Sequence, residues 1–383
     1  MPAQASQAGS IAVFFVVILS IWGSLHAVLL WHLHTIPVVA ALRPRWVLYL
    51  IVGLLGFSYI ASRLVAGTPL RFLAAPLEII GATWMGVILL ALTCLLVAEL
   101  STGFGLWGPR IGPTVRVWAL ATAAVLSLVA LVQGLRPPIV QRFEVTMTGL
   151  PAERDGTVLV FISDLHLGTM TGETWLRARI SQIEALHPDI VVVGGDVFEG
   201  DGERARALLP TLQRLKAPHG VFAVTGNHDD YGRGPDGRSP LDDAAIRVLR
   251  NEWVQIVPGL VIAGVNDGGF RASQAPPADR VTRALSGRPP GAATVFVSHM
   301  PVGAGIAARL GAGLMLSGHT HGGQVWPFGL IVRQFTPLFV GRYDVAGMPV
   351  IVCRGTGTFG PRMRLWRRGE ILYVTLRTAP ARG

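Results

Sequence analysis

Four stretches in the first third of the chain, at 11–33, 46–62, 79–98 and 117–135, contain no Asp, Glu, Lys or Arg. At about 1.5 Å rise per residue such runs reach roughly 26 to 35 Å, which matches a hydrocarbon core of about 30 Å. Glu78 and Glu99 bracket the third stretch, and Arg116 and Arg136 the fourth. A cleaved signal peptide would need a basic tail before the first run, but no basic residue precedes Arg43 and the run is too long. Residues 1–136 therefore read as a region of about four transmembrane helices. The 51% hydrophobic and 15% charged composition excludes a disordered chain.

Charge does not orient the helices. With four spans, Arg63, Arg71, Arg136 and Arg142 fall on the side of the C-terminal domain, and Arg43, Arg45, Arg110 and Arg116 on the other. That is a tie under the positive-inside rule. The expected place is the cell membrane, multi-pass, with the cytoplasm the working choice for the domain. The formal charge of +10 splits into +6 on residues 1–143 and +4 on the rest, so no basic module gathers the charge and no nucleic-acid partner is expected. Cys94 and Cys353 offer no disulfide framework. His26, His32 and His34 lack an accompanying acid or cysteine and read as packing or interfacial histidines rather than metal ligands.

Pro137-Pro138 breaks the last helix. Residues 137–150 read as linker and first strand, and 151–383 as a separate domain. Short apolar runs at 158–162, 190–193, 221–224, 261–265, 294–297 and 314–316 suit buried strands; 173–186, 203–215, 241–250 and 302–310 have helical spacing. The alternation predicts an α/β domain. The late runs 350–353 and 371–376 lack intervening helices and are expected to form a second sheet.

Polar residues stand at the strand ends. Ser163-Asp-Leu-His-Leu-Gly168 follows the first of these runs and Gly194-Gly-Asp196 the second; Gly226-Asn-His-Asp229 follows the third. Ser298-His299 and Gly318-His-Thr-His-Gly-Gly323 follow later ones. Ligands of open α/β sheets bind outside the carboxyl ends of the strands, so these segments should converge. Oxygen and imidazole donors gathered in one place are the signature of a metal site. Residues i and i+2 of an extended chain share a face, which would let Asp164 pair with His166 and His319 with His321.

This set resembles the calcineurin-like metallophosphoesterase superfamily over roughly residues 150–376. The run Leu314-Met-Leu-Ser-Gly-His-Thr-His-Gly-Gly-Gln324 and the tail from Arg354-Gly-Thr-Gly-Thr358 to Glu370-Ile371 are similar to its membrane-associated YkuE/YaeI-like branch. The resemblance implies an α/β metallophosphoesterase domain with a two-sheet β-sandwich core flanked by helices. It also implies two divalent metal ions bridged by Asp196, one held by Asp164, His166 and His321, the other by Asn227, His299 and His319. His228 would be the catalytic histidine, oriented by Asp229, with a helix cap the alternative role for Asp229. Imidazole and carboxylate ligands suit Mn, Fe or Zn without choosing among them. Two ions, two carboxylates and a bridging hydroxide leave a net charge near +1, which attracts a phosphate ester.

The expected activity is therefore hydrolysis of phosphodiester or phosphomonoester bonds by metal-bridged hydroxide, on a phosphate-ester substrate that the membrane tether would suit to being lipid-linked. Two alternatives are a nucleotide-sugar lipid pyrophosphatase of the UDP-diacylglucosamine type and a non-catalytic membrane scaffold that retains the fold. The sequence sets no oligomeric state. Four arginines and Trp366 within 362–368 suit anionic headgroups, or else a strand edge guarded by charge. The glycines within 355–360 suit a tight turn, or else close approach to a phosphate.

Overall fold

The computed structural model describes residues 2–107, 110–199, 202–229, 239–267 and 277–380. The chain divides into two compact units, 1–132 with 360–363, and 133–359 with 364–383.

The first unit contains α1 (Pro2–His34), α2 (Pro37–Ala40), α3 (Trp46–Val65), α4 (Ala74–Thr102) and α5 (Gly112–Leu135). Four of its helical segments are long and apolar enough to cross a membrane: Phe15–His34, Trp46–Val65, Arg71–Thr102 and Gly112–Leu135. The chain is thus read as a multi-pass membrane protein. The two glutamates expected to flank the third span lie within α4 instead. Both are buried and paired: Glu99 takes a bidentate contact from Arg116 (Nε–Oε1 2.6 Å, Nη2–Oε2 3.2 Å), and Glu78 meets Arg63 at 3.2 Å. Pairing is what makes a carboxylate tolerable at such a position. His32 Nε2 lies 3.4 Å from Glu99, and His26 Nε2 accepts the Trp84 indole N–H at 2.9 Å, so these imidazoles tie helices together.

The second unit is built on two six-stranded sheets. In chain order its elements are β1 (Ile139–Met147), β2 (Thr157–Ile162), α6 (Glu173–Glu184), β3 (Ile190–Val193), α7 (Gly202–Leu212), β4 (Val221–Ala223), β5 (Arg247–Val248), β6 (Glu252–Val257) and β7 (Leu260–Gly264). They continue with α8 (Pro277–Leu285), β8 (Ala293–Val297), α9 (Ala304–Arg309), β9 (Leu314–Ser317), α10 (Phe328–Phe335), β10 (Gly341–Val345), β11 (Met348–Val352) and β12 (Glu370–Thr378). One sheet runs β1-β12-β2-β3-β4-β5, the other β10-β11-β9-β8-β7-β6. β2, β3 and β4 are mutually parallel, as are β7, β8 and β9.

Side-chain alternation explains the layers. Leu159, Phe161, Ile190 and Val192 point into a core shared with Ile262, Val295, Val297 and Leu316 of the other sheet. Their neighbours Val160, Ile162, Val191 and Val193 point the other way, onto Leu176, Ile180 and Ile183 of α6 and Ala205 and Leu212 of α7. Phe296 and Met315 likewise face α8 and α9 residues such as Val281, Ala284 and Ala307. A strand buried on both faces must be apolar at every position, which is why these runs were conspicuous in the sequence. Phe161 is fully buried between the sheets, and its ring occupies the space a side chain at Gly194 would need. Phe161→Ala is expected to cost ~3–5 kcal/mol. At roughly 2–4 °C per kcal/mol for a unit of this size, the Tm of the detergent-solubilised chain should fall by roughly 6–20 °C. An unchanged Tm would contradict the packing of β2.

Two expectations fail. Residues 241–250 form a 3-10 turn at Pro240–Asp243, closed by a capping box on Ser239, and then the edge strand β5. Leu241, Ala244 and Leu249 are all buried, so their helix-like spacing reflects burial rather than helix. The strand expected at 371–376 belongs to the first sheet, between β1 and β2, while β11 joins the second.

Candidate metal centre

Each candidate residue follows the carboxyl end of a strand: Asp164 and His166 after β2, Asp196 after β3, Asn227 and His228 after β4, His299 after β8, and His319 and His321 after β9. Both sheets therefore contribute. Ligand atoms of Asp164, His166 and His321 lie within 4.8 Å of one another, as do those of Asp196, His299 and His319, and those of His166, Asp196 and His228.

The backbone reaches this arrangement differently from the extended geometry expected of the two His-containing pairs. Asp164 (φ 55°), His166 (φ 44°), Asp196 (φ 51°), His319 (φ 71°) and His321 (φ 50°) are all left-handed. That conformation is uncommon for non-glycine residues and clusters at functional sites, where the surroundings hold it in place. Here the restraint is a lattice of hydrogen bonds. Asp164 N–H donates to Gly195 O (3.0 Å) and His166 N–H to Asp196 O (3.1 Å), joining the β2 and β3 loops. His319 N–H donates to Asp164 Oδ1 (3.0 Å), joining the two sheets. A side chain at Gly226 would overlap the Asp196 carboxylate, so only glycine fits at that position.

The donor set fits cations. A carboxylate only accepts, so Glu199 Oε2, 2.7 Å from His166 Nδ1, fixes the proton there and leaves His166 Nε2 with its lone pair. That Nε2 faces His321 Nε2 at 3.0 Å, which in turn lies 3.4 Å from Asp164 Oδ1. His299 Nδ1 pairs with the Gly194 carbonyl (2.8 Å), aiming Nε2 at Asp196 Oδ2 (3.2 Å). Asn227 Oδ1 is buried with no hydrogen-bond partner in the structure, the condition of an acceptor that a cation would satisfy. Burial, together with the charge of Arg364, holds His321 well below the usual imidazole range; burial and His299 lower His319. Neutral imidazoles are the form a metal takes. Burial alone would raise Asp196, but His299 above all, with His228, overrides it and holds the carboxyl well below its ordinary value.

His228 Nδ1 lies 3.0 Å from Glu199 Oε2. Burial opposes its charging, but Glu199 and Asp196 overcome this and raise the imidazole above its usual range. Glu199 is desolvated, yet hydrogen bonds from His166 and His228 bring its carboxyl down to about 2. Glu199 escaped notice in the sequence; the signal was a carboxylate three residues beyond Asp196 in the same strand-end loop.

Asp229 does not act as expected. Its two oxygens accept backbone N–H groups from Asp196 (2.9 Å), Val197 (2.9 Å), Phe198 (3.3 Å) and Gly226 (2.8 Å). Four donors saturate a carboxylate, so it pins the Asp196 loop to the β4 loop, and the His228 ring is steadied by Glu199 instead.

The late loop also differs from its composition. Arg364 is buried, donating to the carbonyls of His321 (3.3 Å), Arg354 (2.9 Å), Gly355 (3.2 Å) and Gly357 (2.6 Å). Burial brings its guanidinium down to about 10, so it stays charged at neutral pH. The loop it holds backs the β2 loop, with Thr356 N–H on Ser163 O and Gly357 N–H on Asp164 O. Arg368 donates to the Pro137 carbonyl. Only part of the cationic run at 362–368 therefore faces solvent, with Trp366 and Arg367 exposed. Phe359, half exposed, lies 5.0 Å from the His228 ring and 5.3 Å from that of His166.

A two-sheet α/β sandwich with Asp, Asn and His donors converging from strand ends of both sheets defines the class of metal-dependent phosphoesterases. The profile of the calcineurin-like phosphoesterase family matches residues 157–323. The chain is 35% identical over 218 residues to an uncharacterized metallophosphoesterase of Aquifex aeolicus, covering 56% of this chain and 83% of that one. It is 32% identical over 274 residues to a transmembrane protein with metallophosphoesterase domain from Danio rerio, covering 69% of this chain and 63% of the relative's length. YkuE of Bacillus subtilis, an uncharacterized metallophosphoesterase, is 28% identical over 257 residues, 64% of this chain and 88% of YkuE. A crystal structure of a dimetal phosphatase from Danio rerio aligns with 58% of this chain and 99% of its own at 14% identity, with a TM-score of 0.34. The chain belongs to the calcineurin-like metallophosphoesterase family.

Proposed function

We propose that this protein is a membrane-anchored phosphoesterase that hydrolyses phosphodiester or phosphomonoester bonds with two divalent ions. The observation that carries the reading is the pair of donor clusters sharing one pocket, Asp164/His166/His321 and Asp196/His299/His319, with the unpartnered oxygen of Asn227 beside them. Asp164, His166 and His321 would hold one ion, Asn227, His299 and His319 the other, and Asp196 both. Bound there, the ions would supply an activated water and polarise the phosphoryl oxygens. His228, whose protonated form Glu199 favours, would give its proton to the departing ester oxygen. Asp229 keeps the Asp196 carboxylate in place through the backbone, and Phe359 covers the histidines.

The donors suit Mn, Fe or Zn. A lipid-linked ester is the substrate class favoured by the tether, because α5 ends at Leu135 and β1 begins at Ile139, holding the domain near the headgroup plane. In the test, the full-length chain loaded with Mn, Fe or Zn turns over an aryl phosphodiester or monoester, loses that turnover on chelation, and regains it when metal returns. Turnover that survives exhaustive chelation would overturn the reading.

A further inference from the structure

We propose that α10, with Trp326 and Trp366, is a surface that docks onto the anionic face of the bilayer and opens a cleft beside His321 toward it. The helix has eight residues, none of them buried. At about 100° per residue, Phe328, Ile331 and Phe335 line up on one stripe. They are 46%, 54% and 81% exposed. The opposite side is the one attached to the domain: at Gly329 the helix backbone approaches Gly323 and Phe339 so closely that a side chain would collide. The apolar stripe is thus turned outward, the reverse of what a soluble domain does with an amphipathic helix. Trp326 and Trp366, 44% and 58% exposed, line a cleft together with Leu330 of the helix.

Charge selects the occupant. Neither 326–343 nor 364–369 contains an aspartate or glutamate, whereas Arg333 and Arg367 are exposed there. Tryptophan and arginine around an outward apolar stripe is the composition of an interfacial helix, in which the apolar face enters the acyl boundary and the cations meet anionic headgroups. The chain supplies the lipid surface itself, since three residues separate α5 from β1 and reach no more than about 14 Å. A cleft of about 190 Å³, lined by His321, Trp326, Leu330, Arg333, Arg354 and Trp366, runs beside the helix. Its lining joins apolar groups to arginines, which suits an amphiphile carrying a phosphate. The docking stands apart from the phosphoesterase reading; the route it offers a lipid-linked ester rests on that reading.

The test uses the full chain in vesicles of phosphatidylcholine mixed with phosphatidylglycerol. An environment-sensitive fluorophore is attached at Ile331→Cys, Phe335→Cys or, as an aqueous control on β6, Glu252→Cys, in a Cys94→Ser background in which Cys353 stays buried. The 331 and 335 adducts should be blue-shifted, quenched severalfold by shallow doxyl lipids and protected from iodide, with the 252 adduct reversed. Adducts at 331 and 335 that iodide quenches as readily as 252 would overturn the proposal. So would a blue shift insensitive to lipid quenchers, which indicates contact with protein. A second arm keeps the two readings apart: Ile331→Glu/Phe335→Glu should lose about tenfold or more of its turnover of a vesicle-embedded lipid phosphate ester. The same variant should keep its turnover of a soluble aryl ester. Absence of aryl-ester turnover in the parent chain would defeat the phosphoesterase reading alone, leaving the fluorescence result to decide the docking.

Discussion

Asp196→Ala is expected to abolish phosphoesterase turnover, by roughly 10³-fold or more, and to remove bound metal with it. Three consequences of the geometry combine. The carboxylate stands with His299 and His319 in one donor cluster and lies 3.7 Å from His166 of the other, so each proposed ion would lose a ligand. His299 Nε2 loses the carboxylate oxygen 3.2 Å away toward which it is aimed, so its ring is no longer paired on the side of the shared ligand. The His228 backbone N–H loses its acceptor, Asp196 Oδ1 at 2.8 Å, and with it the anchor of the β4 loop. Asp196→Asn separates charge from shape: it keeps an oxygen for that N–H but not the negative charge, and should bind metal poorly while unfolding near the parent Tm. Near-normal turnover by the alanine variant would contradict the dinuclear assignment.

His228→Ala is expected to lower turnover by about 10² to 10⁴ while leaving bound metal unchanged, since the residue is proposed to serve the leaving group rather than the ions. The loss should be largest for esters with poor leaving groups and small for aryl esters whose phenolate departs unaided. The pH dependence follows from Glu199. Its carboxylate raises His228 above the usual imidazole range, and in the proposed role the active form is the protonated one. Activity is therefore present below the His228 pKa and falls as pH rises through it. Glu199→Gln removes the charge that sustains the proton, so the alkaline limb of kcat/KM should begin at lower pH. An unmoved limb would show that another group supplies the proton.

Much of this site was legible in the sequence because its parts are local. A strand buried on both faces leaves a run such as Ile190–Val193 with no polar residue, so a carboxylate just past its end, as at Asp196 after Gly194-Gly195, stands out as a candidate for chemistry. What sequence could not supply were relations between distant backbones. Asp229 stands next to His228, and adjacency suggested that it steadies the ring; its carboxylate instead reaches back 33 residues to Asp196 N. Glu199 carries no motif, and it matters only because two loops bring His166 and His228 onto it. Arg364 read as a surface cation because its neighbours are Arg362, Arg367 and Arg368, yet four carbonyls draw it inside. The pairing of β12 with β1 and β2 is equally invisible, since an apolar strand carries no record of its partner. The membrane helices were legible from length alone, but the buried Glu99–Arg116 pair was not, because charge in sequence marks a boundary unless its counterion is known.

Side chains from five strand-end loops gather at one site proposed to hold two cations. Elemental analysis of the purified full-length chain, loaded in turn with Mn, Fe and Zn and freed of excess metal, tests it directly. The account predicts two tightly held ions per chain for at least one of these metals and none in Asp196→Ala; a parent chain that retains no ion under any loading would contradict it.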